Sequence, residues 1–288
     1  MNRRRNYVWF VGVMVLTVGL VAALAWGLIN REWIVDYVRG VSYQPTSEMS
    51  AIRDKLKLTD KGEFLFNATQ PVLNGRETFN NICRTATDTE VAVLGCYTGG
   101  NIYIYNIVSD ELKGIRELTT AHELLHAVWA RMSDDERVAL TEPLTRVFEA
   151  NQDLLGKELD TYDIKEKQEE LYVRAGTEVA NLPDILEKHY GEVFSDQDLV
   201  VDFYNSYIKT FREIETEMDN LKAEMDTLSA EIDSLKVEFE RAPTWALYYR
   251  INALVDEYNV RVEKYNADIE RYESLNQTVN SSVKVEGV

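Results

Sequence analysis

The sequence predicts an α+β protein. Its central domain has a small antiparallel or mixed sheet, one membrane-spanning helix precedes it, and a long antiparallel coiled-coil hairpin follows it. Three observations predict this: an uncharged apolar run near the N-terminus, short strand and helix patterns in the middle of the chain, and heptad repeats in the last third. The 288 residues divide into a tip and anchor (1–30), a stem and linker (31–47), the central domain (48–194), the hairpin (195–275) and a flexible tail (276–288).

The apolar run extends from Tyr7 to Ile29 and contains no charged residue. It matches the roughly 20 residues that a helix needs to cross the hydrocarbon core of a bilayer. Residues 3–5 are all arginine, and the positive-inside rule places such a cluster in the cytoplasm. We therefore expect a single-pass membrane protein with a cytoplasmic N-terminus and an extracellular or periplasmic domain. A signal peptide cleaved at Ala23-Leu24-Ala25 is the alternative, but the apolar run continues past that site.

The charge of the chain excludes one class of partner. Acidic residues number 49 against 31 basic ones, which gives a net charge of −18. Beyond residue 5 the basic residues form no cluster. Nucleic acid and anionic lipid surfaces bind through concentrated positive charge, so we expect neither as the main partner.

The first part of the central domain combines a helix with strands and turns. A helix is expected from Ser47 to about Leu58. Three strands are expected at Phe64-Leu65-Phe66, Glu90 to Gly95 and Asn101 to Val108. Pro71, Asn74-Gly75 and Thr98-Gly99-Gly100 supply the turns.

Cys83 and Cys96 are the only two cysteines, and both fall on the side expected to lie outside the cell. A disulfide between them is the natural interpretation in an oxidising compartment. A pair of unlinked buried thiols is the alternative.

The sequence His122-Glu123-Leu124-Leu125-His126 carries the chemistry. Positions four apart share one face of a helix, so both imidazoles can bind one metal ion. Glu123 can then reach a water on that metal as general base. An ordinary core helix with two satisfied histidines is the alternative, but such a helix does not require a glutamate in this register.

This motif resembles that of the zincin metallopeptidases, and the resemblance covers residues of about 90 to 182. It implies Zn²⁺, an edge strand above a cleft, and a later helix that carries the third ligand. Asn101 to Ile107, which alternates polar and apolar residues, suits that edge strand, although a plain sheet strand fits equally. No third histidine follows His126 at the short metzincin distance, so the resemblance requires a glutamate ligand as in gluzincins.

The helical stretch Lys165 to Leu182 is expected to supply this glutamate. Glu170 is favoured, because the small residues 175–177 that follow it allow a close approach to the motif helix. Glu178 is the alternative third ligand, and whichever of the two does not bind metal can hold a histidine proton. A solvated acidic face is the alternative for every acid of this helix, including Glu166 and Glu169.

Three smaller expectations complete the central domain. Ser133 and Glu136 predict a capping box for a helix near Asp134, with a kink or restart at Pro143. A loop is expected from about residue 156 to 163. His189 and Tyr190 are possible stabilisers of the oxyanion in the transition state, with a surface histidine as the alternative.

The hairpin is predicted from two heptad patterns separated by Arg241-Ala242-Pro243-Thr244. The first consists of Tyr204, Tyr207, Phe211, Ile214, Met218, Leu221, Met225, Leu228, Ile232, Leu235 and Phe239. The second consists of Leu247, Ile251, Leu254, Tyr258, Val262, Tyr265, Ile269 and Tyr272. The similar lengths of the two limbs favour self-pairing over intermolecular coiling. The arm would be about 65 Å long.

Together these features predict a membrane-anchored zinc endopeptidase that acts on a protein or peptide substrate outside the cytoplasm. The alternative is a cell-surface coiled-coil binding or scaffold protein with a structural or inactive zinc site. Glu123 favours the peptidase, because a structural site needs no base beside its first ligand. We expect the coiled-coil arm to contact another protein or the cell envelope.

Overall fold

The computed structural model describes residues 2–83, 94–159 and 164–280, and the chain is mostly helical around one small mixed sheet. The elements in chain order are α1 (Asn2–Ile29), α2 (Arg31–Ser42), α3 (Ser47–Lys55), α4 (Asp60–Thr69), β1 (Val72–Asn74), α5 (Arg76–Cys83), β2 (Gly95–Thr98), β3 (Asn101–Tyr105), α6 (Ile115–Arg131), α7 (Asp134–Ala150), α8 (Gln152–Leu159), α9 (Ile164–Glu178), α10 (Asp184–Tyr190), α11 (Gln197–Arg241) and α12 (Trp245–Asn280).

The sheet has the strand order β1-β3-β2, with β1 parallel and β2 antiparallel to β3. Gly99 and Gly100 join β2 to β3 with φ angles of 59° and 80°, the left-handed conformation that tight hairpin turns need. Because β3 pairs on both sides, the expectation of an edge strand at Asn101 to Ile107 is wrong. Ile102 and Ile104 of β3 are instead buried in the core, and β2 is an edge strand of the described sheet.

Two expectations about local structure are also wrong, and a third falls mostly outside the described residues. Phe64-Leu65-Phe66 lies in α4, where the Thr59 side chain caps the helix and Leu65 and Phe66 bury one helical face. Residues 156–159 belong to α8 rather than to a loop, and residues 160–163 lie outside the described residues. The strand expected from Glu90 falls mostly outside them too, with Gly95 as the first residue of β2.

Helix α7 has the predicted capping box, in which the Ser133 and Glu136 side chains each accept a hydrogen bond from the other's backbone N–H. It does not restart at Pro143. The helix runs through that proline, which is buried together with Leu140 and Leu144 on the same face.

The core lies between the sheet, α6 and α9. Leu124 and Leu125 of α6 are fully buried in the same cluster as the isoleucines of β3. At Gly176 of α9, an added Cβ would lie only 2.6 Å from Leu125 Cδ1 and 2.6 Å from the Tyr190 ring. The close approach of α9 to the motif helix, expected from the small residues at 175–177, is therefore confirmed.

In the part of the chain that the structure describes, no single helix is both long and apolar enough to cross a bilayer. Met14–Ile29 and Arg31–Ser42 meet that requirement only as a pair, bent by 74° at the break between them.

The segment 31–47, expected to be a stem and linker, is instead largely the helix α2, which packs on the central domain. Asp36 is buried and forms a bidentate ion pair with Arg131 at the end of α6, with N–O distances of 2.7 and 2.8 Å. Arg39 donates to the carbonyl oxygens of Ala68 and Gly100. These contacts explain why the segment is ordered against the domain rather than extended.

The C-terminal hairpin is confirmed: α11 and α12 pair antiparallel on either side of the turn at 242–244. Ion pairs cross between the two limbs, joining Arg250 to Glu231, Arg261 to Glu224 and Lys264 to Glu217.

The tail expected to fray from residue 276 is helical as far as Asn280. Leu275 and Val279 hold it in place, because both are buried in a second cluster with Phe211 and Ile214 of α11. Residues 281–288 lie outside the described residues.

Candidate metal centre

The motif helix α6 starts at a position that only glycine fits well. Gly114 precedes it with a φ of 89°, and an added Cβ would lie 2.7 Å from the backbone carbonyl oxygen of Phe203 in α11. From there α6 runs seventeen residues without interruption. His122 and His126 occupy one face of it, one turn apart, and their Nε2 atoms are separated by 3.3 Å.

Glu170 of α9 completes the group. Its carboxylate oxygens lie 3.7 Å from His122 Nε2 and 3.5 Å from His126 Nε2, and its side chain is buried. Imidazole nitrogens and carboxylate oxygens bind zinc at about 2.0–2.2 Å, so two such ligands of a tetrahedral ion are separated by roughly 3.4 Å. The three observed separations are close to that value. The buried group His122, His126 and Glu170 can therefore hold a metal ion.

The electrostatics of the group suit a cation. Burial raises the pKa of Glu170, but the two imidazoles outweigh it and lower this pKa to about 2, so the carboxylate is charged. Burial lowers the pKa of His122 to about 4, which leaves this imidazole neutral as a metal ligand must be. Burial also lowers the pKa of His126, but hydrogen bonds to Glu169 and Glu170 outweigh that effect and raise it above its usual value.

Glu169 lies behind the group and fixes the orientation of one imidazole. Its Oε1 atom is 2.8 Å from His126 Nδ1. An ionised carboxylate can only accept a hydrogen bond, so Nδ1 is the donor and Nε2 is directed to the metal position. In the sequence, Glu169 stands out only as one acid of the helix. The signal for its role is the adjacent pair Glu169-Glu170, in which one acid faces the metal position and its neighbour faces an imidazole.

Glu178, the alternative third ligand, is engaged elsewhere. Both of its carboxylate oxygens accept hydrogen bonds from Arg174 at 2.9 Å, and Arg174 also donates to the carbonyl oxygen of Leu154. Eight residues separate Glu178 from Glu170, about 12 Å along the helix. Of the two candidates, the structure brings only Glu170 into the group with the histidines.

Glu123 is buried on the side of α6 that faces the sheet. The backbone of Gly95 in β2 lies directly against it, since an added Cβ at Gly95 would be 2.6 Å from both Cγ and Oε1 of Glu123 and 2.7 Å from Thr119. The charge of Glu123 is one of the causes that raise the pKa of His126. Gly95 was not identified from the sequence, because nothing in its local pattern indicates the contact.

His189 and Tyr190 pack around Tyr172 of α9. The Tyr190 hydroxyl donates to the backbone carbonyl oxygen of Tyr172 at 2.7 Å, and the ring is fully buried. His189 Nε2 lies 3.1 Å from the Tyr172 hydroxyl, and burial lowers the pKa of this imidazole. These contacts give both residues a packing role, and their part in stabilising a transition state stays a prediction.

No protein-family model, curated protein or solved structure matches the chain. The resemblance to zincin metallopeptidases therefore rests on the motif of α6 and on the glutamate that α9 brings to it.

Cys83 and Cys96 form the predicted disulfide, with a Cα–Cα distance of 5.9 Å. The bond links the end of α5 to β2 at the residue after Gly95. The strand beside Glu123 is therefore tied covalently to a neighbouring helix as well as hydrogen-bonded to β3.

Proposed function

We propose that the protein is a membrane-anchored zinc endopeptidase that acts outside the cytoplasm. The observation that carries this proposal is the buried His122, His126 and Glu170 group, with Glu123 on the same helix one residue after the first histidine. A donor set of two imidazoles and one carboxylate is typical of catalytic zinc sites, which keep a fourth position for water.

Zinc, held by His122, His126 and Glu170, would lower the pKa of a bound water and polarise the scissile carbonyl. Glu123 accepts the proton of the attacking water and returns it to the leaving amine. Glu169 keeps His126 in the tautomer that leaves Nε2 available. The apolar residues of α6 exclude bulk water from behind the site, which strengthens these charge interactions.

Two features support the proposed location. The described side chains of α1 from Trp9 to Ile29 are mostly apolar and exposed, and lipid would supply apolar surroundings for them. The uncharged run begins at Tyr7 in the sequence, which extends this stretch to the thickness of a bilayer. The disulfide fits an oxidising compartment, because such bonds are rare in the cytosol.

The decisive experiment separates metal binding from chemistry. Glu123→Gln keeps all three metal ligands and removes the base, so zinc content should stay near one per chain while hydrolysis of an unstructured protein substrate falls at least a hundredfold. His126→Ala should lose both zinc and hydrolysis. Zinc is measured by elemental analysis of the purified full chain, and hydrolysis by release of fluorescent peptides.

The third ligand is tested in the same assay. Glu170→Ala should abolish stoichiometric zinc, whereas Glu178→Ala should retain it, because Glu178 pairs with Arg174 rather than with the histidines. If Glu123→Gln hydrolyses the substrate as fast as the unmodified protein, the peptidase proposal fails.

One observation favours the alternative function in binding. Trp245, Tyr248 and Tyr249 form an exposed cluster of rings in edge-to-face and tilted contacts at the turn of the hairpin. Exposed aromatic groups of this kind are typical of protein contact sites. A scaffold that used this tip would keep its function in the Glu123→Gln variant and lose it in a Trp245→Ala variant.

A further inference from the structure

Helix α2 packs on the central domain with its polar side chains. Asp36 pairs with Arg131 at the end of α6, and Arg39 contacts the carbonyl oxygens of Ala68 and Gly100 and the side chain of Asn101. Soluble amphipathic helices normally do the opposite and bury their apolar face against the protein.

The other side of α2 is apolar and exposed. Trp33 and Tyr37 are each 52 % exposed, and their rings stack at 5.4 Å. Val38 is 61 % and Val41 71 % exposed. At 100° per residue, these four positions span about 140° of the helix circumference, and Arg39 lies opposite to their centre. A tryptophan and a tyrosine beside valines match the composition of side chains that lie at a membrane–water interface.

The connection to α1 identifies what covers this stripe. Only Asn30 separates the two helices, and their axes differ by 74° across the break. If α1 spans the bilayer along its normal, α2 lies within about 20° of the bilayer plane. The central domain contacts α2 through Asp36 and through Arg39, which lies opposite to the centre of the apolar stripe. The stripe therefore faces away from the Arg39 contacts, on the side of α2 that is left open to a bilayer.

We propose that α2 is an interfacial helix whose Trp33, Tyr37, Val38 and Val41 stripe inserts among the lipid headgroups, while Asp36 and Arg39 fix the central domain to it. The proposal rests on the membrane anchoring proposed above and is independent of the peptidase chemistry. Insertion is driven by apolar burial, so it needs no anionic lipid. His126 lies five residues before Arg131 on α6, about 7.5 Å along the helix, so the metal group lies near the end of α6 that α2 would hold at the membrane. Substrate segments close to the bilayer would therefore have preferred access.

The test places a nitroxide label on single cysteines in the full chain, reconstituted in phosphatidylcholine vesicles. The two native cysteines are bonded to each other, so an introduced cysteine is the thiol that reacts. Val38→Cys and Val41→Cys report on the stripe. Leu20→Cys on α1 reports on the anchor, and Val260→Cys on α12, also an exposed valine, is the aqueous control. Collision with oxygen indicates lipid, and collision with a water-soluble nickel chelate indicates water.

For each label we compare the ratio of its collision rate with oxygen to its collision rate with the nickel chelate. We expect this ratio to be at least tenfold higher for the labels at positions 38, 41 and 20 than for the label at position 260. If the label at position 20 favours oxygen while the labels at 38 and 41 show the same preference as the label at 260, the membrane anchor is supported and the interfacial helix is refuted. If all four labels are aqueous, the membrane anchoring itself fails. If 38 and 41 are shielded from both reagents, a protein surface covers the stripe, which also overturns the proposal.

Discussion

The hydrogen bond from His126 to Glu169 predicts how much one carboxylate outside the ligand set contributes to metal binding. Glu169→Ala removes the acceptor that lies 2.8 Å from His126 Nδ1. Loss of such a carboxylate typically weakens metal affinity ten- to a hundredfold. The Glu169 side chain is 36 % exposed, so water screens part of the interaction and the lower end applies. We therefore expect about tenfold weaker zinc binding, or about 1.4 kcal/mol.

The measurement is a zinc titration in competition with a chromophoric chelator at fixed pH. Glu169→Gln keeps an amide oxygen as acceptor and loses the charge, so its effect should be smaller than that of Glu169→Ala. Glu166→Gln, one turn earlier on the exposed side of α9, is the matched control and should change the affinity less than twofold. Glu170→Ala should lose binding almost entirely. If Glu169→Ala binds zinc as tightly as the Glu166→Gln control, the positioning role of Glu169 is refuted. If its zinc affinity is as low as that of Glu170→Ala, Glu169 is itself a ligand.

Three further predictions concern the elements around the site. Gly95→Ala should displace the candidate base and lower hydrolysis at least tenfold at unchanged zinc content, whereas Gly75→Ala, which has open space for its Cβ, should leave both unchanged. Asp36→Ala should lower the free energy of unfolding, measured in urea, by about 3 kcal/mol, because it leaves the partly buried Arg131 without its carboxylate partner. The control is Glu142→Ala, which breaks an exposed ion pair and should lower this free energy by less than about 0.5 kcal/mol. A backbone hydrogen bond from Ser133 in the capping box lowers the pKa of Glu136 in the folded protein. The charged carboxylate should therefore stabilise the fold at pH values above the usual glutamate pKa, and this stabilisation should be lost as the pH falls through the lowered pKa of the folded state. Glu136→Gln should remove that part of the pH dependence, measured as urea midpoints at a series of pH values, and an unchanged profile would contradict the assignment.

The features that the sequence predicted correctly are those whose signal is local and repeated. The H-E-x-x-H spacing fixes which side chains share a face of α6, because helical periodicity is independent of the rest of the fold. The heptads of α11 and α12 extend over many turns, and the break at Pro243 is unambiguous. The preference for Glu170 depended on small residues of α9, and the contact of Gly176 with Leu125 confirms the close helix approach on which that preference relied.

The expectations that failed involve short segments or distant partners. Phe64-Leu65-Phe66 is a brief apolar run that fits a strand and a helix equally, and the capping residue Thr59 decides for the helix. The order of strands in the sheet depends on tertiary pairing, so alternation in residues 101–107 could not distinguish a central strand from an edge.

Contacts between distant residues had no signal at all. Asp36 and Arg131 are ninety-five residues apart, and neither carries a motif that indicates the other. The same holds for Gly95 and Glu123, which meet only because β2 packs against α6.

The disulfide has a consequence for where the protein reaches its working form. Cys96 follows Gly95 directly, so the bond to Cys83 restrains the strand that rests on the side chain of Glu123. In a reducing cytosol the thiols stay separate, and β2 then lacks its covalent link to α5, although its hairpin with β3 and its packing against α6 remain. If the domain is exported as proposed, oxidation outside the cytoplasm would add the covalent restraint on the strand that supports the candidate base. Protein produced in an oxidising compartment is the form to assay, and newly made chains are expected to gain hydrolytic competence only after they have left the cytoplasm.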